Sequence, residues 1–407
     1  MTSSIVEEEL AKVSIFKDES KLSLDYVPAL LPHREEALRT LTGFFRSLVE
    51  SPGKTSQKVI IRGSIGTGKT VLSKRFGEDL EKVAKKKGIN FKYIHVNCRE
   101  EGSFFNILKN IIIKNYESAF PHRGYSSQEL LNTFMKILDN NKTYALIALD
   151  ELEALIRKEG ADPLFSLTRI NENRPSKAPQ RLALLCVFRE PECREILDLL
   201  DKSTTGTLGY NTLILEKYTA TQLEEILNLR VKESFRENTV LPETVELISD
   251  LAGGYGDARF AIELLWLAGK HADSEHLSKL LPEHIRTAQM QAHPSLRVED
   301  LRILKLHEKL LLAAIARHLR SNESAYSIFG DIESEYKSLC EEYREKSLAH
   351  TQLWKYIKSL SVTGLISTKI SGKGQRGKTT LIGLYVSGDK LEKELTKMLE
   401  VKRNARR

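Results

Sequence analysis

Gly63-Ser64-Ile65-Gly66-Thr67-Gly68-Lys69-Thr70 fits the pattern G-x-x-x-x-G-K-[ST]. The glycines let backbone N–H groups converge on phosphate oxygens, and a helix starting at the loop adds the positive end of its dipole. Lys69 is placed to reach the β- and γ-phosphates of a nucleotide, and the Thr70 hydroxyl to ligate Mg²⁺. Val59–Ile61 is a short apolar strand running into the loop, and the segment from Thr70 through Val71 to Lys87 has helical spacing and ends in lysines before Gly88. This context favours a phosphate loop over a glycine turn that holds nothing.

A phosphate loop needs an acidic partner on a strand. Tyr144-Ala-Leu-Ile-Ala-Leu-Asp150-Glu151 is an apolar run ending in two carboxylates, 81 residues after Lys69. Asp150 is expected to orient the Mg²⁺ shell and Glu151 to activate an attacking water. The plainer alternative is a capping pair for the helix Leu152–Lys158. Two acids at a strand end suit a hydrolysing ATPase better than a kinase or a small GTPase. Asn141-Lys142-Thr143-Tyr144 also lacks the Asp of the guanine-reading N-K-x-D pattern. The expected cofactors are ATP or ADP and Mg²⁺. Gly256-Asp257-Ala258-Arg259 opens a later helix, from which Arg259 is expected to swing over the phosphates.

Around this centre, apolar strands at residues 59–61, 91–96, 144–149, 182–187 and 212–215 alternate with helical patterns, among them 103–115 and 128–139. That alternation predicts an α/β fold with a parallel five-stranded sheet. After Tyr218 the strands stop, and Thr221–Arg236, Pro242–Ala252 and Asp257–Ala272 predict a small helical domain. Leu301–Leu319, Asp331–Glu342 and Ala349–Val362 follow as helices, then two strands, Gly364–Ile370 and Thr379–Val386. The turn Ser371–Lys378 between them is basic and glycine-rich. Three helices and such a hairpin form the winged-helix plan. The expected layout is a loosely held arm at 1–25, a nucleotide-binding domain at 26–218, a helical domain at 219–295, a winged helix at 296–395 and a basic tail at 396–407.

The composition suits two or three globular domains: 407 residues, 41% hydrophobic and 29% charged. Apolar runs such as Leu182–Phe188 fall far short of the roughly 20 residues of a membrane span. Glu7, Glu8 and Glu9 and the lack of an apolar signal core argue against secretion, so a cytoplasmic, nucleoid-associated protein is expected. Cys98, Cys186, Cys193 and Cys340 have no metal-ligand spacing and are expected to be reduced. Residues 301–407 carry 21 basic and 12 acidic side chains, a net of +9, whereas residues 1–300 carry −2. Between Lys346 and Val386 stand seven basic residues and no acid. A solvated face normally mixes signs, so this stretch points to a nucleic-acid surface.

In the third winged-helix helix, Leu353, Ile357 and Leu360 share a face that should pack inward, with Trp354 at the core edge. His350, Thr351, Gln352, Lys355 and Lys358 lie off that face. Gln352 suits adenine, and Lys355 a guanine or a phosphate. Lys373, Arg376 and Lys378 sit among the glycines of the wing tip, where the backbone can approach a groove closely.

Together these residues resemble the archaeal origin-recognition and cell-division-control initiators, which are AAA+ ATPases, over about residues 14–395. The resemblance is carried by Ile15-Phe16-Lys17-Asp18, Asp25-Tyr26-Val27-Pro28, Leu31-Pro32-His33-Arg34-Glu35, the phosphate loop, Val96-Asn97-Cys98-Arg99, Leu149-Asp150-Glu151, the run Leu164–Asn171, Tyr218-Thr-Ala-Thr-Gln-Leu and Arg230. It implies an AAA+ module, a helical lid and a C-terminal winged helix that binds duplex DNA at replication origins. It also implies recruitment of the replicative helicase and work beside paralogous initiators. By motif, Val27, Pro28 and Arg34 would sit by the adenine, and Tyr218 and Arg230 would touch nucleotide. The stretch after Arg99 would match the initiators' helical insertion, which also contacts DNA. Two positions depart from the family pattern. Arg189 stands where AAA+ ATPases usually carry a polar residue, often Asn, and Ser203 replaces the arginine finger, with Lys202 beside it. These changes imply slow hydrolysis. The alternatives are a nucleotide-switched origin-binding paralogue with negligible turnover and a signalling ATPase of the same class.

Overall fold

The computed structural model describes residues 4–116, 124–170, 172, 174–175, 178–199, 206, 208, 211–292, 301–362, 364–370 and 379–404. The chain forms two compact units: one of residues 25–222 and 255–258, the other of residues 1–24, 223–254 and 259–407.

The first unit is built on β1 (Lys58–Gly63), β2 (Phe91–Asn97), β3 (Tyr144–Asp150), β4 (Leu182–Arg189) and β5 (Thr212–Leu215). They pair in parallel in the order β2-β3-β4-β1-β5, the five-stranded sheet expected from the sequence. Alternate residues face opposite sides. Leu182, Leu184, Cys186 and Phe188 of β4 join one buried cluster, and Ala183, Leu185 and Val187 join the other. The first cluster is covered by α3 (Phe104–Tyr116), α4 (Ser127–Asn140) and α5 (Leu152–Glu159), the second by α1 (Glu35–Phe45) and α2 (Lys69–Lys86). Ser126 and Glu129 form a reciprocal capping box at the start of α4. The registers set Gly63 beside Arg189 and Leu215, and Asn97 beside Asp150, so the chemistry-bearing residues gather at the carboxyl edge of the sheet.

The second unit contains most of α6 (Ala220–Ser234) and of α8 (Ala258–Ser274), with α7 (Pro242–Gly253) and α9 (Pro282–Ala292). It also contains α10 (Leu306–Ser321), α11 (Phe329–Glu342), α12 (His350–Val362) and α13 (Gly388–Asn404). Its antiparallel sheet runs β6 (Tyr326–Ile328), β8 (Thr380–Leu384), β7 (Ile366–Ile370). The three-residue β6 is too short to read from sequence.

Two expectations, about the arm and the tail, change. The arm is not loosely held: Ile15 and Phe16 are buried, and Phe16 stacks on Phe235 at 4.7 Å between ring centroids. A Cβ on Gly269 would lie 2.4 Å from Cζ of Phe16, so only glycine admits the ring there. Residues 396–404 are not a separate tail. They complete α13, because Leu391, Leu395 and Leu399 recur at helical spacing and are buried with Leu310, Leu353 and Ile366. The helical domain and the winged helix lie within one compact unit. Lys369 on β7 pairs with Glu246 at 2.6 Å and Asp250 at 2.7 Å on α7, and Arg286 on α9 donates to the carbonyls of Ser324 and Ala325 at 3.0 Å each.

Leu395→Ala is expected to lower stability by about 2–5 kcal/mol, the usual cost of a buried leucine. Lys397→Ala, an exposed position on the same helix, should change it by less than about 0.5 kcal/mol. Denaturant titration of both variants checks this, and equal losses would contradict the placement of α13.

Candidate functional site: the phosphate loop and the carboxyl edge of the sheet

β1 delivers the chain into the loop 63–70, and α2 leaves it at Lys69. Gly66 has φ +72° and Gly68 φ +83°, which side-chain-bearing residues rarely adopt. A Cβ on Gly66 would also come within 1.7 Å of an Asp257 carboxylate oxygen. Buried Thr67 donates to the Ser64 carbonyl at 2.9 Å and so fixes the turn, while Ile65 stays exposed. Lys69 Nζ donates to the carbonyls of Gly63 at 2.8 Å and Ser64 at 2.7 Å. Its ammonium is thus folded over the loop.

Arg34 braces the loop from behind. Its Nε and Nη2 donate to the Thr67 carbonyl at 3.1 and 2.8 Å, and Nη2 also donates to Glu216 at 3.0 Å. Its guanidinium lies over the Tyr218 ring at 3.9 Å. Burial pulls the Arg34 pKa down and pushes that of Tyr218 up. Both expected nucleotide-side residues therefore meet at the loop. Val27 is half-buried and Pro28 buried in the segment leading to Arg34.

At the end of β3, Asp150 accepts from the Thr70 hydroxyl at 2.6 Å and from the N–H of Glu151 at 2.9 Å. His95 Nε2 lies 3.3 Å from the same carboxylate. Desolvation alone would raise this carboxyl, but His95, Thr70 and the Glu151 N–H outweigh it and hold Asp150 below the ordinary range. The sequence signal for His95 was weak: it is a polar residue on the half-buried face of β2.

Glu151 has φ +50°, a costly conformation for a residue with a side chain. Arg189 Nη2 donates to Oε1 of Glu151 at 2.8 Å, and Arg99 Nε lies 2.7 Å from Oε2. The Arg99 link has a local cause. Asn97 at the end of β2 accepts from the N–H groups of Arg99 and Glu100, forming a short helical turn that presents Arg99 sideways. Arg99, expected among the DNA contacts, is thus paired with Glu151. Neighbouring Glu153 is buried, which pushes its carboxyl up, and its nearest cation is Arg189 at 4.0 Å.

Arg230, Arg259 and the predicted winged-helix residues belong to the other unit. Arg230 is buried there, donating to the Lys21 carbonyl at 3.2 Å and lying 3.7 Å from Glu233. Arg259 is in the first turn of α8. On α12, Leu353, Ile357 and Leu360 are buried, while Thr351, Lys355 and Lys358 are exposed and Gln352 half-buried. Trp354 packs edge-on against Phe329 at the core edge. His350 is not free: its Nδ1 lies 2.6 Å from Glu333, and that contact, with Lys337, holds the Glu333 carboxyl below its ordinary range. Lys373, Arg376 and Lys378, and likewise Lys202 and Ser203, lie outside the described residues.

The residues present fit a nucleotide and its cation. Glycine at 66 and 68 puts no side chain of its own on the loop, Lys69 reaches the carbonyls of Gly63 and Ser64, and Thr70 and Asp150 already face each other as two oxygen ligands of one ion would. Among the described residues no helix is long and apolar enough to cross a membrane.

Residues 299–394 match the Cdc6 C-terminal winged helix domain, residues 224–290 the Cdc6 AAA+ ATPase-type lid domain and residues 53–197 the AAA domain. Over 391 residues, 94% of this chain and 92% of the relative, the sequence is 35% identical to an ORC1-type DNA replication protein 2 of Sulfurisphaera tokodaii. The fold is similar to the crystal structure of Cdc6p from Pyrobaculum aerophilum, with a TM-score of 0.82 and 30% identity, covering 96% of this chain and 100% of that one. It is also similar to the ORC1 protein of Aeropyrum pernix in complex with DNA, with a TM-score of 0.62 and 28% identity, covering 96% and 99%.

Thr70→Val removes one of the bonds that keep Asp150 charged. It should cost about 1–3 kcal/mol by leaving the buried carboxylate short of a donor. A carboxyl held low stabilises the fold above its unfolded pKa, and that stability is lost as pH falls through the folded value. Raising the folded value brings the loss to higher pH. Acid unfolding of the variant should therefore begin at higher pH than in the parent chain, and coincident acid transitions would count against this account of Asp150.

Proposed function

The chain belongs to the Cdc6 and ORC1-type family of DNA replication proteins, and from that premise we propose that it is a nucleotide-controlled initiator that binds duplex DNA at replication origins. The observation that carries this reading is the meeting of Lys69, Thr70, Asp150 and Glu151 at one edge of the sheet in a chain that also holds a winged helix.

Bound ATP with Mg²⁺ supplies the anhydride to be cleaved and a cation that neutralises its charge. The protein supplies the positioning. Lys69 exchanges the carbonyls of Gly63 and Ser64 for phosphate oxygens, and the loop N–H groups and the start of α2 add positive potential. Thr70 and Asp150 hold the cation, and Glu151 orients water once its carboxylate is released. Arg34 and Tyr218 keep the loop in shape, Val27 and Pro28 flank the base, and Arg230 and Arg259 belong to the proposed set of nucleotide-responsive residues. Hydrolysis is slow, because Arg189 holds the water-activating carboxylate and Ser203 stands in the finger position.

DNA is held by the winged helix. Thr351, Gln352, Lys355 and Lys358 present the polar side of α12 to the major groove, and Lys373, Arg376 and Lys378 serve the neighbouring groove or backbone. Recruitment of the replicative helicase, work beside paralogous initiators and a cytoplasmic, nucleoid-associated location complete the reading. A second reading, a nucleotide switch with negligible turnover, is favoured by one observation, the pairing of both Glu151 oxygens with guanidinium groups.

Lys69→Ala is expected to abolish ATP and ADP binding measured by calorimetry on the full chain. Undiminished affinity would sink the nucleotide assignment. Duplex binding should weaken as salt rises. Changing Arg376 and Lys378 together should lower affinity for every sequence and reduce the salt slope by about two phosphate contacts. Gln352→Ala should instead change discrimination at one base pair by about 1–3 kcal/mol. Binding indifferent to salt would rule out this DNA surface.

A further inference from the structure

Binding a nucleotide requires nothing of a guanidinium at residue 189. Arg189 nevertheless ends β4 beside Gly63 and turns to Glu151, whose Oε1 accepts from Nη2 at 2.8 Å. On the other side Arg99 Nε lies 2.7 Å from Oε2. The two arginines come from different strands' ends, so the pairing is a product of the sheet's order, not of local sequence. Charge-assisted bonds of this length are the stronger kind. A general base acts through a lone pair aimed at the proton that it takes. Here each oxygen of that carboxylate already faces a cation, and the backbone of Glu151 is held at φ +50°. Such a strained residue persists only where its surroundings over-determine it, and Asp150, Arg99 and Arg189 do so here.

We propose that Arg189, assisted by Arg99, is a positioning residue that parks the Glu151 carboxylate and thereby brakes nucleotide hydrolysis. The brake rests on the hydrolysis reading above. Arg189 acts through Glu151 and its task in this state is opposite to that of a transition-state contact: removing it speeds the reaction. No new bond chemistry is involved. When the guanidinium departs, the Glu151 oxygens are free to accept a hydrogen bond; the carboxylate then takes a proton from the water whose oxygen bonds to the terminal phosphorus, as the P–O bond to the departing ADP breaks.

The test uses the full chain. In single-turnover hydrolysis of ATP, Arg189→Asn should raise the rate about tenfold, a fraction of the ~10²–10⁴-fold that a positioned general base supplies. The ATP concentration giving half the maximal rate should stay unchanged, and Glu151→Gln should abolish the reaction in both backgrounds. Because Arg189 also neighbours buried Glu153, its replacement removes charge from the interior. Arg99→Gln frees the other oxygen from an exposed position and should raise the rate about threefold. A fall in rate for either variant overturns the brake and makes that arginine a contact to the reacting phosphate.

A second readout needs no nucleotide. In thermal unfolding, the losses in Tm for Arg189→Asn and Glu151→Gln should be non-additive in the double variant, because each single change already breaks the same pair. Additive losses overturn the clamp. Coupled losses, with ATP bound but not hydrolysed by the parent chain or any variant, overturn the hydrolysis reading and leave the clamp standing.

Discussion

The hydrogen bond from Thr70 to Asp150, 2.6 Å long, joins the helix that leaves the phosphate loop to the strand that carries both acids. Its existence depends on strand order. β3 and β1 are not neighbours, and β4 lies between them. Only a parallel sheet with its strand ends level places a hydroxyl from the first turn of α2 against a carboxylate 80 residues later. The same levelling brings His95, Asn97 and Arg189 to that edge. Asp150 is then surrounded by donors, which keeps it charged despite burial.

Charge management explains much of the surrounding detail. Asp150 has several partners and is held low, whereas Glu153, with one cation 4.0 Å away, is pushed up by burial. Two carboxyls three residues apart therefore differ in proton affinity because one is supplied with donors and the other is mostly enclosed. Glu151, between them and more open, takes the two arginines. The loop is handled differently. Arg34 is buried but bonded to backbone carbonyls and stacked on Tyr218, so it stiffens the backbone of the loop.

In the second unit, basic charge serves two ends. Lys369 belongs to the acid-free stretch, yet it is consumed by Glu246 and Asp250 and lies over Tyr326. Tyr326 in turn donates to Asp250, and burial together with that carboxylate pushes its phenol up. Lys355 and Lys358 remain exposed on α12. One part of the basic stretch thus fastens the winged helix to the helical domain and another faces outward, a division that net charge does not reveal.

The phosphate loop, the acidic strand end, the parallel sheet and the winged-helix plan are legible in residue order alone. Each rests on local rules: glycines where φ is positive, short continuous apolar runs for strands buried on both faces, and apolar helix faces such as Leu353, Ile357 and Leu360. The sequence also marked Arg189 as unusual for its place. Tertiary structure alone decided what Arg189 and Arg99 touch, that His350 pairs with Glu333, that Phe16 closes over Gly269, and that α13 continues past residue 395 into the winged-helix core. These are contacts between residues whose separation along the chain carries no periodic signal. Side-chain partners at a sheet edge are chosen by strand order and register, and those follow from the packing of the whole domain.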